Sequence, residues 1–128
     1  MQILLEPAAK KDSTIYAACG FHLLVTLKGC SAAILNDENK LRELTRHAAQ
    51  ATGATVLQVC THKFEPQGIT TVAILAESHA SLHTYPETQT VFWDCFTCGI
   101  ECMPELSVPT LVAALKPETY KKEIIYRH

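Results

Sequence analysis

The sequence predicts an α+β fold, a two-layer antiparallel sheet with its helices on one face. Three observations predict it. Segments rich in β-branched and apolar residues alternate with helical ones in the order strand, helix, two strands, another strand, helix, strand. Two helices are too few to cover both faces of a parallel sheet. A chain of 128 residues, 48% hydrophobic and 19% charged, suits one compact domain of ordinary size. A sheet with helices on one face needs cover on the other, which a second subunit would supply. The low charged fraction points the same way, because a homodimer core is more apolar than the remaining surface.

Residues 1–18 carry no sustained periodicity and read as a loose lead-in to a single domain over 19–128. Residues 19–27, CGFHLLVTL, form the first strand, and Lys28-Gly29-Cys30 end it with a turn signal. Asp37 precedes a helix in which Leu41, Leu44, Ala48 and Ala51 recur near helical spacing, closing at Gly53. Residues 54–62 and 69–76 are strand-like, and Pro66-Gln67-Gly68 break the chain between them, which predicts a strand pair. Residues 76–87, AESHASLHTYPE, read as a turn-rich polar stretch. Residues 90–97 alternate, with Val91, Trp93 and Cys95 on one face and Phe92, Asp94 and Phe96 on the other. Pro109 opens a second helix through Leu111, Ala114 and Leu115, and Pro117 stops it. Residues 120–126 form the last strand.

A net charge of −2 gives no long-range attraction for nucleic acid or an anionic membrane. Lys10-Lys11 and Lys121-Lys122 read as solvated surface. No apolar run approaches the roughly 20 residues of a membrane span. The first apolar stretch is broken by Glu6 and Pro7, so no cleavable leader is expected. The six cysteines, Cys19, Cys30, Cys60, Cys95, Cys98 and Cys102, are therefore expected to be reduced, in a cytoplasmic protein.

Cys95, Cys98 and Cys102 with His79 and His83 resemble metal ligands in composition. Yet no second cysteine pair stands at a matching spacing, and Cys95-Phe96-Thr97-Cys98 follows a strand instead of opening a helix. No metal is expected. The five glycines are scattered and form no phosphate loop. His62-Lys63 reads either as a strand end with a solvated lysine or as a pocket lining. His22 is either a core histidine or a site residue. His47 and His128 read as surface.

Residues 76–87 concentrate an acid, serines, two histidines and a proline after an apolar strand, which gathers nucleophile and base candidates in one place. There is no GxSxG elbow, and the residues alone assign no third orienting group. A catalytic segment and a polar loop are both open on this ground.

The stretch Glu77-Ser78-His79-Ala80-Ser81-Leu82-His83-Thr84-Tyr85-Pro86-Glu87, followed by Asp94-Cys95-Phe96-Thr97-Cys98-Gly99, resembles the bacterial and archaeal S-adenosylmethionine decarboxylase proenzymes. So do Gly20-Phe21-His22-Leu23 and His62-Lys63-Phe64-Glu65-Pro66-Gln67-Gly68, and order and spacing are kept over residues 20–127. The resemblance implies a precursor that cuts itself between Glu77 and Ser78 and converts Ser78 into a covalent pyruvoyl cofactor. It implies His83 as the base or proton carrier of processing and Cys98 as the acid that protonates the product. It implies S-adenosylmethionine as substrate, with decarboxylated S-adenosylmethionine and carbon dioxide as products, for polyamine synthesis. It also implies a homodimer of processed two-chain protomers packed sheet to sheet as α/β/β/α. Two other functions are carried: a pyruvoyl decarboxylase of arginine or ornithine, and a non-catalytic homologue that binds or regulates a partner. Phe21, Glu65, Thr70 and Tyr85 differ from the residues commonest in the family. Thr70 keeps a hydroxyl suited to a supporting role in processing.

Overall fold

The computed structural model describes residues 17–99 and 101–128. Most of the expected lead-in, with Lys10-Lys11, lies outside the described residues. In chain order the elements are β1 (Gly20–Lys28), α1 (Glu38–Ala51), β2 (Val56–Lys63), β3 (Ile69–Leu75), β4 (Ser78–Tyr85), β5 (Thr90–Cys98), α2 (Ser107–Leu115) and β6 (Thr119–Arg127). The six strands make one sheet in the order β2-β3-β4-β5-β1-β6, with every neighbouring pair antiparallel. The α+β class and the two helices match the sequence reading.

Residues 78–85 differ from it. They form a central strand between β3 and β5 where a turn-rich stretch is expected. Ala80 and Leu82 point into the core while His79, Ser81 and His83 point away, a period of two that suits a strand buried on one face. The polar composition hides that period. The turn itself is only Ala76 and Glu77, since Leu75 pairs directly with Ser78.

Helix α1 starts where Asp37 accepts a hydrogen bond from the Lys40 N–H at 3.1 Å. It ends at Thr52, followed by Gly53 at φ 92°, a conformation that glycine adopts without steric cost. Its buried stripe is Leu41, Leu44, Thr45, Ala48 and Ala49; Ala51 is exposed, so the stripe closes on Ala49 instead. Helix α2 begins before Pro109, at Ser107, after a 3₁₀ turn over Pro104–Leu106. The Ser107 hydroxyl donates to the Pro104 carbonyl at 2.7 Å and accepts from the buried Trp93 indole at 3.0 Å, which ties this start to β5.

Helix α1 packs over β2, β3 and β4 and against α2, while the 3₁₀ turn lies against β1 and β5. The core between these layers holds Leu23, Val25, Leu27, Leu82, Val91, Trp93 and Leu111. Gly20 is required by close approach: a Cβ there would stand 2.1 Å from the Thr97 carbonyl oxygen. On the opposite face, Thr70, His79, Ser81, His83, Asp94, Phe96 and His22 are not fully enclosed, and no described helix covers them.

Candidate active site

The β3–β4 hairpin turn delivers the Glu77-Ser78 bond to the end of the sheet. Glu77 is 2% exposed, and its carboxylate accepts from the Thr55 N–H at 3.0 Å. Its backbone carbonyl accepts from the Cys98 N–H at 2.8 Å. Ser78 sits at φ 145°, a region L residues rarely adopt and one that persists only where surrounding contacts hold it. The site thus holds a strained serine beside a carbonyl already polarised by a backbone donor.

Ser78 Oγ lies 3.3 Å from His79 Nδ1, and His79 Nε2 lies 3.3 Å from Asp94 Oδ2. Asp94 Oδ2 also meets His22 Nε2 at 2.7 Å, and the Ser81 hydroxyl donates to Asp94 Oδ1. Ser81 Oγ lies 3.3 Å from His83 Nε2, and His83 Nδ1 lies 3.0 Å from Thr70 Oγ1. At the other side Arg127 donates to His22 Nδ1 at 3.2 Å, with its guanidinium 4.6 Å over the Phe96 ring. One hydrogen-bonded series therefore crosses the open face from β3 to β6.

Burial pushes the Asp94 carboxyl upward, but hydrogen bonds from Ser81 and His22, with the fields of His79 and His22, hold it below its ordinary value of 3.8. It is a carboxylate at neutral pH. The Cys98 thiol is pushed up by burial and by Cys19, with Arg127 opposing, so it keeps its proton at neutral pH and can give one away. Cys95 and Cys30 are pushed up by burial to about 12 and about 11, which makes them inert core groups.

The sequence-predicted residues divide into two places. Glu77, Ser78 and Cys98 come together at one end of the sheet. His83 stands five residues along β4 from Ser78, roughly 16 Å of extended chain, and bonds to Thr70 and Ser81. A cleft of about 290 Å³ adjoins His83, lined by Phe64, Gln67, Thr70 and Tyr85 among others. A second, of about 350 Å³, adjoins Cys98 and is lined by Cys19, Phe96, Arg127 and His128. His62 is exposed against the Phe64 ring, and Lys63 is exposed. His22 proves to belong to the site face. The sequence names His79 only among metal-ligand and base candidates and gives Ser81, Asp94 and Arg127 no role; the period-two pattern of β4 and the lone carboxylate between Phe92 and Phe96 are signals for His79, Ser81 and Asp94, and none points to Arg127.

Three residues apart on one strand, Cys95 and Cys98 face opposite sides of the sheet and cannot grip one ion. Among the described residues, His22, His79 and Asp94 bring three donor atoms within 4.8 Å. Arg127 can only donate, so it takes the Nδ1 lone pair of His22 and leaves the proton on Nε2, aimed at Asp94. That histidine offers no lone pair to a metal, and the cluster is a satisfied hydrogen-bond network.

Fold and site together define an α+β protein whose open sheet face is organised around one strained serine at a hairpin. The sequence profile of the S-adenosylmethionine decarboxylase family matches residues 21–128. The S-adenosylmethionine decarboxylase proenzyme of Methanococcus maripaludis is 44% identical over 99 residues, 77% of this chain and 81% of that one. The proenzyme of Brevibacillus brevis is 43% identical over 111 residues, 86% of this chain and 84% of that one. The crystal structure of the adenosylmethionine decarboxylase from Aquifex aeolicus matches with a TM-score of 0.76 at 30% identity, covering 84% of this chain and 89% of that one. The chain belongs to the S-adenosylmethionine decarboxylase family.

Proposed function

We propose that the chain cuts itself between Glu77 and Ser78, turns Ser78 into a pyruvoyl group, and decarboxylates S-adenosylmethionine to supply the aminopropyl donor of polyamine synthesis. The observation that carries the reading is the Cys98 N–H on the Glu77 carbonyl, 2.8 Å, next to a serine held at positive φ. A serine hydroxyl is a poor nucleophile in water, and fixed proximity to the preceding carbonyl replaces much of the lost reactivity. The backbone N–H is already aimed at the oxygen that gains charge when that carbonyl is attacked.

The residues around Ser78 suit a pyruvoyl group: a protonated Cys98 thiol stands at the same strand end, beside a cleft lined by Phe96 and Arg127. When present, the group supplies an electron sink for the charge left as carbon dioxide departs. Cys98 then returns a proton to the substrate carbon.

The proposed assembly is a homodimer in the cytoplasm, open face against open face. Its support is the separation of the two clefts. Thr70 and His83 hold one end of the face while Ser78 and Cys98 hold the other, so a two-fold partner would set one chain's His83 cleft near the other's Ser78. No helix among the described residues is long and apolar enough to cross a membrane.

The test is carbon dioxide release by the purified, processed protein offered S-adenosylmethionine, arginine and ornithine separately. Release from S-adenosylmethionine alone supports the reading. Release from arginine or ornithine instead overturns the substrate, and no release from any of the three favours a binding or regulatory homologue.

A further inference from the structure

We infer that His79, oriented by Asp94, is the general base that starts the cleavage at Ser78, and that His83 serves a different step. This rests on the self-cleavage reading and assigns a role within it.

The proton positions follow from the partners. Arg127 has only donors, so His22 accepts at Nδ1 and donates from Nε2 to Asp94 Oδ2. The Ser81 hydroxyl donates to Asp94 Oδ1, and so must accept from His83 Nε2, which leaves His83 Nδ1 to accept from Thr70. Asp94, a carboxylate, only accepts; His79 therefore carries its proton on Nε2, toward Asp94. The remaining lone pair, on His79 Nδ1, faces Ser78 Oγ at 3.3 Å. Serine, imidazole and carboxylate stand in series, as in the triads that activate a serine nucleophile on unrelated folds but with the two ring nitrogens exchanged. Contacts of this kind commonly run long before the reacting state forms. His83, by contrast, has both ring nitrogens engaged with Thr70 and Ser81 of its own chain.

The step balances without any co-reactant. His79 Nδ1 takes the Oγ proton as Oγ bonds to the Glu77 carbonyl carbon, and the carbonyl electrons move to the oxygen held by the Cys98 N–H. Collapse breaks the bond from Glu77 carbon to Ser78 nitrogen, and His79 returns the proton to that nitrogen. The product is an ester between the Glu77 carboxyl and Ser78 Oγ, with a free Ser78 amine. Removal of the Ser78 α-proton, the later elimination, is left to the His83 of a second copy across the proposed dimer, because the His83 of the same chain stands roughly 16 Å of extended chain away.

Hydroxylamine separates the two steps, because it cleaves an ester at neutral pH and leaves an amide intact. Full-length wild type, His79→Ala, His79→Gln, His83→Ala, Asp94→Asn and Asp94→Glu are followed by intact mass with and without it. Both His79 variants are expected to stay as uncut amide, slowed at least about 100-fold, with nothing released by hydroxylamine. His83→Ala is expected to hold the ester, which hydroxylamine splits into a hydroxamate of residues 1–77 and a fragment that begins with intact Ser78. Asp94→Asn is expected to be slow and Asp94→Glu to recover part of the rate; Asp94→Asn cutting at the wild-type rate removes Asp94 from the series. Thermal unfolding selects the folded His79 variant for comparison, the glutamine keeping the polar bulk that alanine loses. Hydroxylamine-sensitive ester in a folded His79 variant, or cleavage within threefold of wild type, overturns the assignment. An uncut wild-type chain sinks the self-cleavage reading itself, whereas a wild type that cuts beside equally fast His79 variants sinks only the role of His79.

Discussion

Replacing Asp94 with asparagine changes one oxygen for an amide and removes the charge around which the open face is wired. Three donors converge on this carboxylate: the Ser81 hydroxyl, His22 Nε2–H and His79 Nε2–H. A hydrogen bond to a charged group contributes about 1.5–3 kcal/mol net. The His79 contact counts for less, because that side chain is 41% exposed and its pairing is screened by water. His22 and Asp94 are better enclosed, at 17% and 21%. Asparagine keeps one acceptor oxygen but turns two amide hydrogens toward a donor, so one strong bond is lost and one clash is added. The expected loss is about 2–3 kcal/mol at pH 7. Its pH dependence has a definite sign. The folded-state pKa of Asp94 is lowered, so its contribution is complete above the unfolded value near 3.8 and disappears as pH falls through the lower folded value. Urea unfolding in a Ser78→Ala background, which keeps the chain in one piece, at fixed protomer concentration and at pH 7, 5 and 3, reads the difference directly. The gap is expected to be full at pH 7 and 5 and to narrow at pH 3. A loss below about 0.5 kcal/mol at pH 7, or a gap unchanged at pH 3, would refute Asp94 as the hub.

Three further outcomes are expected. Thr45 Oγ1 is buried in α1 without a partner, so Thr45→Val removes an unsatisfied hydroxyl and raises stability by roughly 1 kcal/mol in the same urea titration. Cys98→Ala keeps the backbone N–H that holds the Glu77 carbonyl, so the chain still cleaves, while carbon dioxide release falls by about 10²–10⁴-fold for want of the thiol proton; unchanged turnover would remove Cys98 from the reaction. A His83→Ala chain coexpressed with a Ser78→Ala chain is expected to regain cleavage, since the Ser78→Ala chain supplies the missing His83 across the dimer while itself staying uncut; an uncut His83→Ala chain in the isolated heterodimer would contradict the shared site.

Helix α1 and strand β5 were legible because their determinants are local. Asp37 caps three residues ahead of the donor it satisfies, and Val91, Trp93 and Cys95 alternate into the core without interruption. Strand β4 was not, because His79, Ser81 and His83 with Tyr85 and Pro86 have the composition of a turn, and only Ala80 and Leu82 betray the strand period. The turn compresses to two residues once β3 and β4 pair, and a strand so formed carries His83 away from Ser78 where a bent loop would have brought it back. The family resemblance names Glu77, Ser78, His83 and Cys98 because its motifs are read directly along the chain. The Asp94 network could not be read so: His22 meets Asp94 across 72 residues, and Arg127 meets His22 across 105, through strand pairings that exist only after folding.

The measurement closest to the central claim is the intact mass of the purified wild-type chain beside Ser78→Ala. Two wild-type fragments are expected, residues 1–77 and 78–128, the second lighter by one ammonia than a fragment beginning with serine, and a single uncut Ser78→Ala chain. A wild-type chain that stays whole after prolonged incubation, or a Ser78→Ala chain cut at the same bond, would contradict that claim.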